Sequence, residues 1–325
     1  MAQAIGSDRR PVARWVCAGA AAILASFVAV ASYLHAPLGT PGPDIDQAWL
    51  AARAVLHGQD PYRSLEASHA FAFPLYYPLT TAIVSLPLAP WPLDVARLLF
   101  VGGTAALFGY AFGARRPYLW PTLLGMPFFV SVRSAQWAPL LTAAMLMPSL
   151  GWLAAAKPNL GVAMLAGARS WRDAKVLVLG GLAIVLVSLL VDPHWPSKWR
   201  AALAMSEHFR PLVVRPGGFL ALLALFRWRD PDARLLIALA VVPVTGLAYD
   251  VLPACLVCRS RKEAAALAVA SYAGWLGAPM VNAAQGFADE MWRNGELVLW
   301  CCLLPAVALV ALRGVSWPGR RALLR

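Results

Sequence analysis

The sequence predicts an all-α protein that crosses a membrane several times. Three observations carry this. Of 325 residues, 60% are hydrophobic and only 14% are charged, and the mean hydropathy is +0.62. The apolar residues are gathered into long uncharged runs, the pattern of transmembrane helices. The basic residues stand at the ends of those runs. The whole chain, 1–325, fits a single integral-membrane domain of roughly ten to twelve helices at about 20 residues each.

The formal net charge of +12 would suit nucleic acid, but its placement argues otherwise. The cations form groups at Arg9, Arg10 and Arg14; Arg169, Arg172 and Lys175; Arg227, Arg229 and Arg234; Arg259, Arg261 and Lys262; and Arg313, Arg320, Arg321 and Arg325. Spacing of this kind is the positive-inside pattern, with affinity for anionic membrane lipids. No nucleic-acid partner is expected.

The first run, 15-WVCAGAAAILASFVAVASYL-34, follows three arginines. It is longer than the apolar region of a cleaved signal peptide, so it reads as an uncleaved first helix with a cytoplasmic N-terminus. It delivers residues 35–76 to the outer side. Further runs follow at 77–90, 93–114, 118–132, 137–150, 151–168, 174–191, 215–227, 235–247, 248–258, 263–284 and 296–313. Several are too short to cross unbroken. Pro139, Pro148, Pro158, Pro243 and Pro253 mark the expected breaks, tolerated where a helix lines a cavity or packs on protein.

The basic C-terminal end and the basic turns at 169–175, 227–234 and 259–262 assign to the cytoplasm of a multi-pass protein in the cytoplasmic membrane. Loops 192–214 and 285–295 then face outward with 35–76. Arg115 and Arg116 disturb this assignment: counting spans places them outside, unless a nearby segment is re-entrant.

No metal constellation is visible, because the acidic residues are scattered. Asp44-Ile45-Asp46 is formally a DxD, but the chain has no soluble domain for a nucleotide sugar. Cys17, Cys255, Cys258, Cys301 and Cys302 lie in or beside apolar runs and read as packing residues; the lone Cys255/Cys258 pair lacks a second pair or a haem-type His.

The polar chemistry concentrates in the first outer loop, at 44-DIDQAWLAARAVLHGQDPY-62. Apolar residues at 45, 48, 49, 52, 55 and 56 have the spacing of one helical face. They predict a short amphipathic helix over 45–57, lying on the membrane surface and stopped by Gly58. Asp44 stands at its start. One reading makes Asp44 an N-cap with Gln47 at capping-box spacing; the other leaves its carboxylate for chemistry.

A resemblance favours the second. Asp44, Trp49, Ala51-Ala52-Arg53 and the turn Gly58-Gln59-Asp60-Pro61-Tyr62 occur in that order. Tyr77-Pro78-Leu79 with Pro87-Leu88, Ala135-Gln136-Trp137-Ala138 and 154-AAAKPNLG-161 then follow. Together these resemble glycosyltransferase family 87, the polyprenol-phosphate-mannose-dependent mannosyltransferases, over about 44–170. The sequence departs from the family pattern in three places. Leu79 replaces a second proline, the Gly and Asn of a "GQ-x-N" element are missing, and Ala248 stands where a late element carries His.

The resemblance implies a GT-C-type helical bundle whose long first outer loop carries the short amphipathic helix. It implies transfer of a hexose, mannose in the family, from a polyprenyl-phosphate donor to a glycolipid or glycan acceptor on the outer face. The reaction would be inverting, with Asp44 as general base and no cofactor beyond the lipid-linked donor. General-base help is typically worth about 10²–10⁴-fold in rate. Asp46, inside the helix, is the alternative base.

For the leaving phosphate the candidates are Lys157, Arg133, His208 and Arg210, with Gln136 beside them. Lys157 interrupts an apolar run, where an ionised side chain costs roughly 2.5–3.5 kcal/mol on insertion scales. It should therefore face a cavity or a partner, unless it snorkels from a helix end. Trp49, Tyr62 and Tyr77 are candidates for sugar stacking, and Tyr249 and Asp250 form a secondary polar site. Two rival classes remain: a transporter or flippase for a lipid-linked or small polar substrate, and a non-catalytic membrane assembly partner. No repeat of the kind common in transporters is visible.

Overall fold

The computed structural model describes residues 9–313 apart from Gly42. Arg320, Arg321 and Arg325, and with them the C-terminal end of the chain, lie outside the described residues. The elements are α1 (Arg9–Ser32), α2 (Ile45–Leu56), α3 (Pro61–Ala67), α4 (Leu79–Ser85), α5 (Leu93–Arg115), α6 (Met126–Arg133), α7 (Ala138–Leu146), α8 (Pro158–Ala166), α9 (Trp171–Val191), α10 (Trp195–Ala204), α11 (Pro231–Val241), α12 (Arg261–Tyr272), α13 (Ala278–Asn282), α14 (Phe287–Val298) and α15 (Leu304–Ala311). Tighter 3₁₀ turns link many of them. Among the described residues the strand content is one two-residue antiparallel bridge, Arg210–Pro211 against Pro243–Val244.

The all-α membrane class is borne out; the helix count is corrected. Among the described residues, five helices are long and apolar enough to cross a membrane: Val12–Ser32, Leu93–Arg115, Trp171–Val191, Arg261–Asn282 and Phe287–Ala311. Leu79–Leu88, Gly218–Arg227 and Ala248–Val257 are apolar but short. The expected spans 137–150 and 151–168 resolve into three pieces, α7, a 3₁₀ segment at Pro148–Ala156 and α8. Proline removes a backbone donor and clashes with the preceding turn, which is why Pro148 and Pro158 each open a new piece. Pro139 and Pro253 do not break their segments: Pro139 stands in the first turn of α7 and Pro253 inside a 3₁₀ run.

α1 and α5 form the tightest pair. Small residues allow it: Gly109 and Gly113 of α5 face α1, and a Cβ at Gly113 would stand 2.7 Å from the Arg14 Cα. Ala21, Ala25 and Ala29 of α1 are fully buried. Small residues four apart bring helix backbones together in a membrane. Trp15 packs edge-on against Tyr110 at 5.0 Å, so the start of α1 and the end of α5 share one end of the bundle.

That geometry accounts for Arg115 and Arg116. The 79–88 segment is too short to span, and α5 runs antiparallel to α1, with Gly109 against Cys17 and Gly113 against Arg14. Its terminal arginines then join the other basic turns. Arg116 Nη1 donates to the Leu256 carbonyl at 2.5 Å. Asp230 pairs with Arg313 at 3.1 Å and Arg259 at 3.3 Å, and Asp232 with Arg313 at 2.8 Å and with Arg169. Arg234 donates to the Ala166 and Ala168 carbonyls. The cationic turns thus converge on one basic end, with two aspartates in their midst.

The three long loops gather at the other end. Lys198 bridges Asp60 and Asp192 at 2.7 Å each, and Trp199 Nε1 donates to the Tyr76 carbonyl at 2.8 Å. Phe73 packs on Phe287 at 4.7 Å. Residues 35–76, 192–214 and 285–295 therefore form one cap.

Candidate functional site

α2 starts where the periodicity places it, but it is packed into the protein rather than lying on a surface: Ile45, Asp46, Ala48, Trp49, Ala51, Ala52 and Ala54 are buried. Asp46 is held by Arg97. Both side chains are fully buried; Nε donates to Oδ1 at 2.9 Å and Nη2 to Oδ2 at 2.5 Å. Arg97 Nη1 also donates to the carbonyls of Tyr33, Leu34 and Ala36. One guanidinium so fixes the end of α1, the turn after it and the start of α2. It leaves Asp46 no free oxygen for a reaction.

Asp44 is placed by this strut, and its carboxylate makes no cap. Its backbone amide donates to the Ser134 carbonyl at 3.0 Å. The Tyr77 hydroxyl donates to Oδ2 at 3.2 Å, and Gln136 Nε2 donates to the same oxygen. Among the described residues Oδ1 accepts no hydrogen bond. The carboxylate is thus oriented through one oxygen and open through the other.

The Gln136 orientation follows from its other neighbour. Lys157 Nζ lies 3.2 Å from Oε1, and an ammonium can only donate, so Nε2 must face Asp44. Lys157 Nζ also donates to Asp250 Oδ1 at 2.9 Å and sits 4.4 Å from the Tyr249 ring centre. Asp250 Oδ2 accepts from the Thr245 amide at 3.0 Å and the Thr245 hydroxyl at 2.8 Å. A single polar chain therefore runs Tyr77, Asp44, Gln136, Lys157, Asp250, Thr245.

Lys157 gets there because the helix breaks under it. Pro148 and Ala168 line the same cleft at the basic end, together with Arg116 and Arg169. Lys157 is the tip of the hairpin between them, with arms of nine residues each. At about 1.5–2.0 Å per residue each arm rises roughly 13 to 18 Å, about half of a bilayer core of roughly 30 Å. The break frees carbonyls, and α4 meets them: Thr80 Oγ1 donates to Ala155 O and Thr81 Oγ1 to Ala156 O, each at 2.6 Å.

Burial raises the Asp44 carboxyl above the usual carboxylate range, outweighing the Lys157 charge and the Gln136 and Tyr77 hydrogen bonds that pull it down. When ionised, this carboxylate is therefore more basic than a solvated one.

Asp44, Tyr77, Gln136, Lys157 and Tyr249 are brought together with Asp250. The other expected residues are not in this cluster. Trp49 is buried and donates from Nε1 to the Trp91 carbonyl at 3.1 Å, with Arg53 stacked on it at 4.8 Å. Tyr62 donates to the Tyr77 carbonyl at 3.2 Å, which steadies the turn behind Asp44. His208 is buried in an aromatic group with Phe73, Tyr76, Phe209 and Phe287, and burial lowers its pKa. Arg210 is exposed and donates to the Glu207 carbonyl. Arg133, exposed at the end of α6, stands one residue from the carbonyl that holds the Asp44 amide.

Arg97, Thr80, Thr81 and Thr245 complete the site and were not singled out from sequence. Arg97 had a visible signal, an arginine within an apolar run, which requires a partner. The threonines had none. A cleft of about 560 Å³ opens at the basic end and another of about 360 Å³ lies along Val251–Cys255; neither includes the Asp44 chain. No group of three or more His, Cys, Asp or Glu suited to a metal ion occurs among the described residues. No protein-family model, curated protein or solved structure matches the chain, so the likeness to glycosyltransferase family 87 rests on the motif residues alone.

Proposed function

We propose that the protein is a GT-C-type membrane glycosyltransferase. It transfers a hexose, mannose by the motif resemblance, from a polyprenyl-phosphate donor to a glycolipid or glycan acceptor. The single observation that carries the reading is the Asp44 carboxylate: Oδ2 is held by Tyr77 and Gln136, and Oδ1 is open. Asp44 Oδ1 takes the proton of the acceptor hydroxyl. The acceptor oxygen forms the new bond to the anomeric carbon from the face opposite the phosphate, and the carbon–oxygen bond to the polyprenyl phosphate breaks with inversion. Lys157, itself held by Asp250, holds Gln136, and through it the Asp44 rotamer. The basic end lies in the cytoplasm under the positive-inside rule, which sets the loop cap and Asp44 on the outer side of the cytoplasmic membrane.

A second reading, passage of a lipid-linked or small polar substrate, draws on the Lys157–Asp250 pair at the tip of a half-height hairpin, a feature that transporters share. One experiment separates the two. Purified protein in sealed liposomes is given polyprenyl-phosphate mannose and a panel of other polyprenyl-phosphate sugars with extracted membrane glycolipids. Product glycolipid and donor translocation are both followed. Transfer without translocation supports the enzyme. Translocation without transfer, or neither with any lipid-linked sugar, removes it.

A further inference from the structure

Arg215 is 3% exposed. It follows the turn Leu212–Val214 and precedes Gly217 at φ +78°. Its Nη1 donates to the Met291 and Trp292 carbonyls, and its guanidinium lies 4.8 Å from the centre of the Trp292 ring. Nε and Nη2 have no partner among the described residues, and no carboxylate there lies within ion-pair distance. A buried guanidinium without a paired counter-charge is costly, and Glu296 acts on this one only from beyond ion-pair distance.

The two unpartnered nitrogens form the side edge of the guanidinium, whose parallel N–H bonds fit two oxygens of a carboxylate or phosphate. The same edge of Arg97, Nε and Nη2, grips both oxygens of Asp46. The surroundings make room for the group: Gly295 lies against it, and a Cβ at Gly246 would come within 3.1 Å of Nη2. Gly246 follows Thr245, which holds Asp250, the partner of Lys157. Arg215 therefore borders the polar chain. Within that chain Lys157 is already neutralised by Asp250, so an incoming anion finds its unpaired cation at Arg215.

We propose that Arg215 holds the phosphate of the lipid-linked donor, clasping two of its oxygens through Nε and Nη2. The assignment rests on the glycosyltransferase reading above.

The test is thermal unfolding of the purified full chain with polyprenyl phosphate, inorganic phosphate or phosphatidylglycerol. Wild type, Asp44→Asn, Arg215→Met and Arg215→Lys are compared. Polyprenyl phosphate should stabilise wild type and Asp44→Asn alike. The apparent affinity should fall at least tenfold in Arg215→Met and recover in part in Arg215→Lys. Without ligand, Arg215→Met should unfold no earlier than wild type, since it removes an unpaired buried charge. Competition by inorganic phosphate would show that the phosphate alone is recognised. If Arg215→Met does not fold, Gly295→Ala, which crowds the guanidinium without changing charge, should weaken the same binding. Equal binding by wild type and Arg215→Met overturns the Arg215 assignment and leaves the enzyme reading standing. So does early unfolding of Arg215→Met with binding intact, which makes the arginine structural. A phosphatidylglycerol response that depends on Arg215 and matches that of polyprenyl phosphate makes it a general lipid-headgroup contact and overturns the donor assignment. No response of wild type to polyprenyl phosphate overturns both.

Discussion

The Arg97–Asp46 pair should be the stiffest element of the site, and its removal has a calculable cost. Arg97→Met leaves the Asp46 carboxylate fully buried and unpaired, and deprives the Tyr33, Leu34 and Ala36 carbonyls of their donor. Removing one partner of a buried ion pair costs about 3–5 kcal/mol. Asp46→Leu alone should cost a similar amount, because it strands the guanidinium. The double variant strands neither charge, so the two losses should not add; the coupling should exceed about 2 kcal/mol, near the upper part of the range for residues in contact. The assay is equilibrium unfolding in bicelles of wild type, both single variants and the pair. The double variant should also lose sugar transfer while staying folded, since Asp44 is placed by the strut two residues away. A single Arg97→Met variant within about 1 kcal/mol of wild type, or strictly additive losses, would refute the reasoning.

Three further outcomes follow from the same geometry. Thr81→Ala leaves the Ala156 carbonyl unsatisfied at the hairpin tip and should destabilise by about 1–3 kcal/mol, with Lys157 displaced and transfer reduced; unchanged unfolding would contradict it. Ala135 holds φ +44°, a region where a side chain costs about 1–2 kcal/mol, so Ala135→Gly should stabilise by up to about 1 kcal/mol after the entropy of the glycine is deducted. The pH profile should carry the raised Asp44 pKa: transfer falls as pH drops through a value above the usual aspartate range, and that limb vanishes in Asp44→Asn. The stability contribution has the opposite sign. Because folding favours the protonated carboxyl, the contribution is full at low pH and is lost as pH rises through the raised pKa.

Much of the bundle was legible because hydrocarbon is a strong signal. The runs at 15–34, 93–114 and 174–191 correspond to long helices, and the apolar spacing from Ile45 placed α2 within a residue. What failed was the count of roughly ten to twelve helices of about 20 residues, against five long enough to cross among the described residues. Leu79–Leu88 and Pro148–Ala156 are as apolar as a span, but their length and fold depend on tertiary partners, Thr80 and Thr81 among them, that no periodicity reveals. Asp44 shows the same limit at a single residue. Locally it is a helix cap; in the fold Gln136 and Tyr77, 92 and 33 positions away, take its carboxylate instead. Lys157 was visible as a charge in an apolar run, and its need for a counter-charge points to Asp250. Arg97 could have been found by the same rule. Arg215 could not, because its surroundings are assembled from 212–217, 246 and 291–295.

The most direct test of the base assignment is the initial rate of sugar transfer from polyprenyl-phosphate mannose by wild type and Asp44→Asn, both shown to be folded and to bind polyprenyl phosphate equally. The carboxylate with one held and one open oxygen predicts a fall of about 10²–10⁴-fold in the Asn variant. Equal rates would contradict it and return Asp44 to a positioning role in the loop.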